Sequence, residues 1–329
     1  MNIMVIGLGS MGIRRIRLIR ELKIPADIIG VDSRPERCDA ARARFGVTCC
    51  VTVEEARQRG EISCAFICTS PLSHAKLIWL CLSYGYHVFT EINLVSDGYT
   101  ENINLAREKG LTLFLSSTPL YKSEMCYIDK RLKESGKQCI YQYHVGQYLP
   151  DWHPWDNLQD FFVSDRKTNG CREILGIELP WMQNTFGKIK RIHVWKRKLL
   201  DLPLDFPDTY MIQIAHENGN AGSLIVDVVS RQAVRHLEVL NGDIYIKWNG
   251  RPDTLYERNV ETRELEQVNP GNYTHEKGYG EFINEYAYRK EIEEFFEVIR
   301  GKKPRYTFEQ DMETLEIIDR MERGGDEDE

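Results

Sequence analysis

Three glycines constrain this chain more than any other feature. Gly7, Gly9 and Gly12, spaced as G-x-G-x-x-G in Gly7-Leu8-Gly9-Ser10-Met11-Gly12, follow the apolar run Ile3 to Ile6 and open a helical pattern from Ile13 to Leu22. A strand that turns on glycine straight into a helix is the start of a βαβ unit. Gly7 permits the tight turn, Gly9 lets a diphosphate approach the backbone, and Gly12 lets the helix pack closely on the strand. The free N–H groups and positive dipole at the helix start then favour a bound anion, so Ser10 and Met11 join the glycines as expected cofactor contacts. Asp32 stands twenty residues beyond Gly12, after the run Ile28 to Val31. There a carboxylate accepts from a ribose 2′-hydroxyl, which favours NAD, whereas Arg34 beyond Ser33 suits a 2′-phosphate and keeps NADP open.

The alternation continues to about residue 116. Strand patterns at Cys64 to Ile67, His87 to Thr90 and Leu111 to Leu115 alternate with helical patterns at Pro35 to Phe45, His74 to Ser83 and Tyr99 to Lys109. Strands separated by helices predict a doubly wound parallel sheet. Beyond Thr118-Pro119 the rhythm changes to a helix over Lys122 to Ser135, a strand over Gln138 to Val145 and an aromatic irregular stretch from Tyr148 to Asn169. Runs at Lys190 to Lys196, Thr209 to His216, Ala221 to Val228, Arg235 to Leu240 and Asp243 to Lys247 follow without helices between them, which predicts a large mixed or antiparallel sheet. Ile292, Phe295, Phe296 and Ile299 form the stripe of a closing amphipathic helix. The expected α/β organisation is a Rossmann domain over 1–118, a substrate and oligomerisation domain over 119–323 and an acidic tail over 324–329.

Composition narrows the function. A net charge of −7 argues against a nucleic-acid footprint, and no apolar run approaches a membrane span. Nine cysteines without a C-x-x-C pair, several inside apolar runs, fit a reducing cytoplasm, and the N-terminus reads as a strand rather than a leader. No His, Cys and carboxylate set has metal-ligand spacing. The cluster Arg14, Arg15, Arg17 and Arg20 reads as a solvated helix face or as help in binding phosphates. His144 reads as a packed structural residue.

Further segments carry a family resemblance. Cys68-Thr69-Ser70-Pro71 followed by His74, then Gly85-Tyr86-His87-Val88-Phe89-Thr90-Glu91, and finally Glu293-Glu294-Phe295-Phe296 with Gly301-Lys302-Lys303-Pro304 accompany the first glycine turn. Together they resemble the glucose-fructose oxidoreductase, inositol dehydrogenase and MocA family across nearly the whole chain. The resemblance implies a Rossmann domain fused to an α/β domain with an open sheet, a homodimer or homotetramer built through that sheet, and a carbohydrate substrate. It also implies that Thr69, Ser70, Pro71, His74 and Glu91 lie at the cofactor. The chain departs from the family at its chemistry. Ile92 stands at the lysine of Glu-Lys-Pro, and Ile174 and Glu178 stand at the Asp and His of the helix opening the second domain; a one-residue slip would place Glu173 where Ile174 stands.

Hydride exchange at a carbinol carbon needs a group that takes or gives the hydroxyl proton. Glu178 is the one ionisable residue at the three family positions, and desolvation beside Ile174, Trp181 and a nicotinamide suits a carboxylate to that task. The alternative is a structural ion pair with a residue such as Arg172. At about 100° per residue, Ile174, Glu178 and Trp181 share one helix face, and Pro180 is expected to kink the helix beside them. Trp152, His153 and Trp155 precede this helix; the rings suit either sugar stacking or packing, and His153 is the second proton-transfer candidate. Arg172 and Trp181 complete the expected substrate contacts. Three functions stay open: an NAD(P)-dependent oxidoreductase for a sugar, sugar acid or nucleotide sugar, a non-catalytic nucleotide-binding protein, and an NAD-assisted sugar lyase or hydrolase.

Overall fold

Apolar runs punctuated by glycine build a six-stranded, all-parallel sheet in the computed structural model, which describes residues 2–152, 161–276 and 282–324. In chain order its elements are β1 (Asn2–Ile6), α1 (Ser10–Glu21), β2 (Asp27–Val31), α2 (Pro35–Phe45), β3 (Thr48–Cys50), α3 (Val53–Arg57), β4 (Ile62–Ile67), α4 (His74–Ser83), β5 (His87–Thr90), α5 (Tyr99–Glu108) and β6 (Leu113–Leu115). The strand order β3-β2-β1-β4-β5-β6 reverses direction at β1 and β4, which is the doubly wound arrangement expected. Sequence reading missed β3, whose three residues are too few to show a period.

The second sheet has eight strands. After α6 (Ser123–Ser135) come β7 (Ile140–Gly146), α7 (Gly170–Phe186), β8 (Ile189–Arg197), β9 (Thr209–His216), β10 (Ala221–Asp227), β11 (Val234–Leu240), β12 (Tyr245–Trp248), β13 (Tyr256–Arg258) and β14 (Leu265–Gln267). Their order is β14-β13-β12-β11-β7-β10-β9-β8; β7 and β10 pair in parallel and the other pairs are antiparallel, so the sheet is mixed. Alternation along β7 buries Tyr141, Tyr143 and Val145 and exposes Ile140 and Gln142. The buried side packs against α7, with Tyr141 stacked on Phe186 at 4.1 Å and Tyr143 edge-on to Trp181 at 5.5 Å between centroids.

The chain ends with α8 (Glu285–Ile299) and α9 (Phe308–Arg323). The division into units is discontinuous: Met1–Ser117 with Tyr288–Met312, and Thr118–Ala287 with Glu313–Glu329. This differs from the linear boundary expected at 118, because Phe295 of α8 packs edge-on to Phe66 at 5.2 Å and Phe89 at 5.6 Å in the core of the first unit. The α9 helix was also missed, although Thr307 and Gln310 form a reciprocal N-terminal cap visible as T-x-x-Q in the sequence.

The reading of the α1 arginines as a solvated face needs correction. Arg14 and Arg15 are buried, and Arg15 is fully enclosed. Its guanidinium donates to Glu91 at 2.6 and 3.1 Å, to Glu291 at 2.7 Å and to Ser116 at 3.2 Å, while Ser117 N–H donates to Glu291 at 2.7 Å. Arg15 lies three residues after Gly12 and therefore faces the sheet with it. Its carboxylate partners come from sequence positions far beyond any local pattern. Removing the cation would leave two carboxylates buried without it. Arg15→Met is therefore expected to lower the unfolding free energy by about 3–5 kcal/mol. Urea unfolding followed by circular dichroism checks this, and an unchanged midpoint would contradict the network's importance.

Candidate functional site

Close packing shapes the first glycine turn. A Cβ at Gly12 would lie 1.8 Å from the Gly7 carbonyl oxygen, and Gly7 itself adopts φ of +89° against the Cys68 carbonyl. Neither position admits a side chain without displacing backbone. Gly9 differs: its φ of −73° suits any residue, and a Cβ there would meet only the Arg37 guanidinium, at 3.5 Å. Space is therefore left open at the start of α1, where no side chain caps the helix and no acidic residue lies in the first turn. These features fit a diphosphate seated on the N–H groups around Ser10 and Met11.

Asp32 is buried beside this turn. Its carboxylate accepts from Leu8 N–H at 2.7 Å and Arg34 N–H at 2.9 Å, and Arg37 approaches it at 3.5 Å. The backbone of Arg34 thus orients Asp32, while its side chain and Ser33 are exposed. Arg37, not singled out from sequence, is the cation beside both Asp32 and Gly9; its signal was the i+3 spacing from Arg34 in the first turn of α2.

The β4–α4 loop is fixed by hydrogen bonds. Thr69 and Ser73 hydroxyls lie 2.7 Å apart, Ser73 donates to the Ser70 carbonyl, and Pro71 is buried. His74 joins two loops: Nε2 donates to the Thr69 carbonyl at 2.9 Å and Nδ1 meets the Asn93 side-chain amide at 2.6 Å. Burial pushes the His74 imidazole below its ordinary pKa, so it serves as a neutral latch. Glu91, expected near cofactor, directs both carboxylate oxygens to Arg15. Ile92 is half-buried and Asn93 is buried.

In the second unit, Glu178 is 1% exposed. It accepts from Tyr143 O–H at 2.8 Å and Trp181 N–H at 2.6 Å and pairs with Arg235 at 2.6 Å. The expected alternative partner was wrong in identity: Arg172 instead pairs with Asp319 at 2.7 Å and Glu322 at 2.5 Å. Trp181 is likewise engaged with Glu178, and Ile174 is buried on the same helix. The helix runs unbroken from Gly170 to Phe186 with Pro180 inside it. His144 also departs from expectation, being part-exposed and 2.6 Å from Asp227.

Lys122 was missed. It directly precedes α6, is 6% exposed, and donates to the Phe282 carbonyl at 3.2 Å, with the Trp248 ring at 5.8 Å. Among the described residues, no carboxylate lies within ion-pair distance of its ammonium. Desolvation, reinforced by Arg235, pushes its pKa down to about 8, against the pull of Glu124 and Glu178. Sequence supplied only a lysine at a helix start, which is ordinarily solvated.

Glu173 is the other displaced titration. Burial pushes its carboxyl up to about 7, and its Oε2 has no hydrogen-bond partner among the described residues. Trp152 places its ring against Gly170, where an added Cβ would stand 3.7 Å away. His153 and Trp155 lie outside the described residues.

Comparison with known proteins agrees with this geometry. Residues 1–117 match the family model GFO_IDH_MocA, described as an oxidoreductase family with an NAD-binding Rossmann fold. No curated protein matches the chain. Among solved structures, levoglucosan dehydrogenase in complex with NADH is 16% identical, with a TM-score of 0.78 over 98% of this chain and 95% of that one. GenD2 from gentamicin A biosynthesis, in complex with NAD, is 15% identical, with a TM-score of 0.78 over 97% and 92%. The WlbA dehydrogenase from Chromobacterium violaceum, with NADH and UDP-GlcNAcA, is 13% identical, with a TM-score of 0.73 over 98% and 92%. At these identities the likeness is one of fold.

The buried Glu173 carboxyl generates a pH dependence. A carboxyl raised from 4.5 to about 7 in the folded state leaves stability intact below pH 4.5 and reduces it as pH rises through 7. Glu173→Gln removes that penalty. It is expected to stabilise the protein at pH 8 by up to about 3 kcal/mol and to change little at pH near 4. Urea unfolding of both forms at the two pH values checks the sign; equal effects at both would contradict it.

Proposed function

We propose that residues 1–117, which match the GFO_IDH_MocA model of an oxidoreductase family with an NAD-binding Rossmann fold, bind NAD, and that the chain is an NAD-dependent dehydrogenase for a sugar, sugar acid or nucleotide sugar. The carrying observation is the open, uncapped start of α1 beside buried Asp32. The N–H groups around Ser10 and Met11 hold the diphosphate, and Asp32 accepts from the adenosine ribose. A bound nicotinamide supplies a two-electron acceptor for hydride. The Thr69–Pro71 loop, latched by His74, borders that site, and Glu91 supports it through Arg15 on α1.

On the substrate side, Glu178 and His153 remain the sequence-derived candidates for the hydroxyl proton. Trp152 and Trp155 supply apolar rings for a sugar face. Arg172 ties α7 to α9 through Glu322 and Asp319, while Trp181 donates to Glu178 on its own helix. The open face of the second sheet aligns Trp195 and Met211 in one cross-strand row and leaves them exposed, which supports assembly of a homodimer or homotetramer through that face. A cytoplasmic setting follows from the cysteine pattern, and no described helix is long and apolar enough to cross a membrane.

The test is NAD reduction followed by nicotinamide absorbance over levoglucosan, myo-inositol, D-glucose, L-tartrate and UDP-GlcNAcA. Net NADH formation with at least one compound is expected. NAD binding without NADH formation on any of them would contradict the dehydrogenase reading, and product formation without net NADH would indicate elimination or hydrolysis instead.

A further inference from the structure

The first turn of α2 holds a cation that its surroundings engage only weakly. Side chains on a helix tilt back toward its start, so Arg37, the third residue of α2, reaches over the end of β2 toward the glycine turn. Its Nη1 lies 3.5 Å from Asp32 Oδ2 and 3.5 Å from the position a Cβ would take at Gly9. The contact with Asp32 is longer than an ordinary hydrogen bond. Among the described residues the Arg37 guanidinium has no other partner, and its side chain is 41% exposed, so most of its N–H donors remain available. Arg42 on the same helix differs, being held by Asp39 at 2.6 Å and by the Cys49 carbonyl at 2.9 Å. Asp32 is also held firmly. Leu8 N–H donates to its Oδ2 at 2.7 Å and Arg34 N–H to its Oδ1 at 2.9 Å, so its charge stays where the ribose is expected. The lone pairs left on the carboxylate suit a 2′-hydroxyl, whereas a 2′-phosphate there meets a like charge unless a cation stands beside both.

We propose that Arg37 sets this chain's choice of nicotinamide nucleotide: its guanidinium pairs with a 2′-phosphate and thereby admits NADP alongside NAD. The assignment rests on the nucleotide-binding reading above. With NAD, Asp32 accepts from the ribose 2′-hydroxyl and Arg37 is not required. With NADP, a phosphate carrying about two negative charges is added beside that carboxylate. Arg37 then supplies the compensating charge, with N–H donors in the planar fork that phosphate oxygens accept. Arg34 is the rival for this role, since it lies closer to Asp32 in sequence. Its contact with Asp32 is made by its backbone, its side chain is exposed, and only Arg37 comes within 4 Å of a Cβ at Gly9. The specificity-determining cation therefore comes from inside α2 rather than from the residue that caps it.

The test is calorimetric titration of NADH and of NADPH into the unsubstituted protein, Arg37→Ala and Arg34→Ala, which needs no substrate. The unsubstituted protein is expected to bind both nucleotides. Arg37→Ala is expected to weaken NADPH about tenfold or more and NADH less than about threefold, because a charge-assisted pair with phosphate contributes in that range. Its thermal unfolding midpoint should stay the same, since the side chain is part-exposed and makes one long contact. Asp32→Asn separates direct pairing from screening of the carboxylate. In that background Arg37→Ala still lowers NADPH affinity about tenfold when the guanidinium touches the phosphate. Disappearance of the loss there would show that Arg37 acts only through Asp32 and would overturn the pairing. An unchanged NADH-to-NADPH ratio in Arg37→Ala, loss of NADPH binding in Arg34→Ala alone, or binding of NADH without NADPH by the unsubstituted protein would overturn the role of Arg37 and leave the nucleotide-binding reading intact. Absence of binding of either nucleotide would instead overturn that reading, and the assignment with it.

Discussion

The contact on which the first unit depends is the approach of α1 to β1 at Gly12 and Gly7. No side chain fits at Gly12, where a Cβ would collide with a backbone oxygen at 1.8 Å. That closeness directs the uncapped start of α1 over the end of β1 and points its N–H groups outward. It also carries Arg15 inward on the same helix face. There a single guanidinium joins β5, α8 and the end of β6 through Glu91, Glu291 and Ser116. One glycine contact thus sets both the uncapped end of the helix and the buried charge network behind it.

The second unit solves a different electrostatic problem. Glu178 is deeply buried, and a cation and two neutral donors satisfy it. Lys122 is nearly as buried, and among the described residues its ammonium has only a carbonyl acceptor. An ion pair that is fully satisfied keeps both charges in place, whereas a buried ammonium without a carboxylate partner is costly to keep charged. The same enclosure therefore holds one charge in a satisfied pair and pushes the other group toward its neutral form. Glu173 shows that burial without a cation also moves a carboxyl toward neutrality.

The Rossmann sheet was legible because its evidence is local: strands with β-branched residues, glycine turns and helical periods recur within a few residues of one another. The mixed sheet was legible for similar reasons, apart from the short strands β13 and β14 at one end of it. Long-range partnerships were not legible. Arg15 looked solvated because Glu91 and Glu291 are remote in sequence, and Glu178 was matched with Arg172 because α7 offered that arginine nearby while Arg235 comes from β11. Lys122 was invisible for the same reason, since its significance arises from burial beneath Phe282 and Trp248 rather than from any motif. The glycine turn and Asp32, by contrast, announced themselves through spacing alone.

The most direct test of the account is calorimetric titration of NADH into the unsubstituted protein and into Gly9→Val. Gly9 has a backbone conformation open to valine and no backbone atom within reach of an added Cβ, so the fold should tolerate the change. The valine side chain would occupy the space in which a diphosphate approaches the turn. The account predicts saturable binding to the unsubstituted protein, loss of binding in Gly9→Val, and nearly equal thermal unfolding midpoints. Equal NADH affinity in the two proteins would contradict the placement of the cofactor at the start of α1.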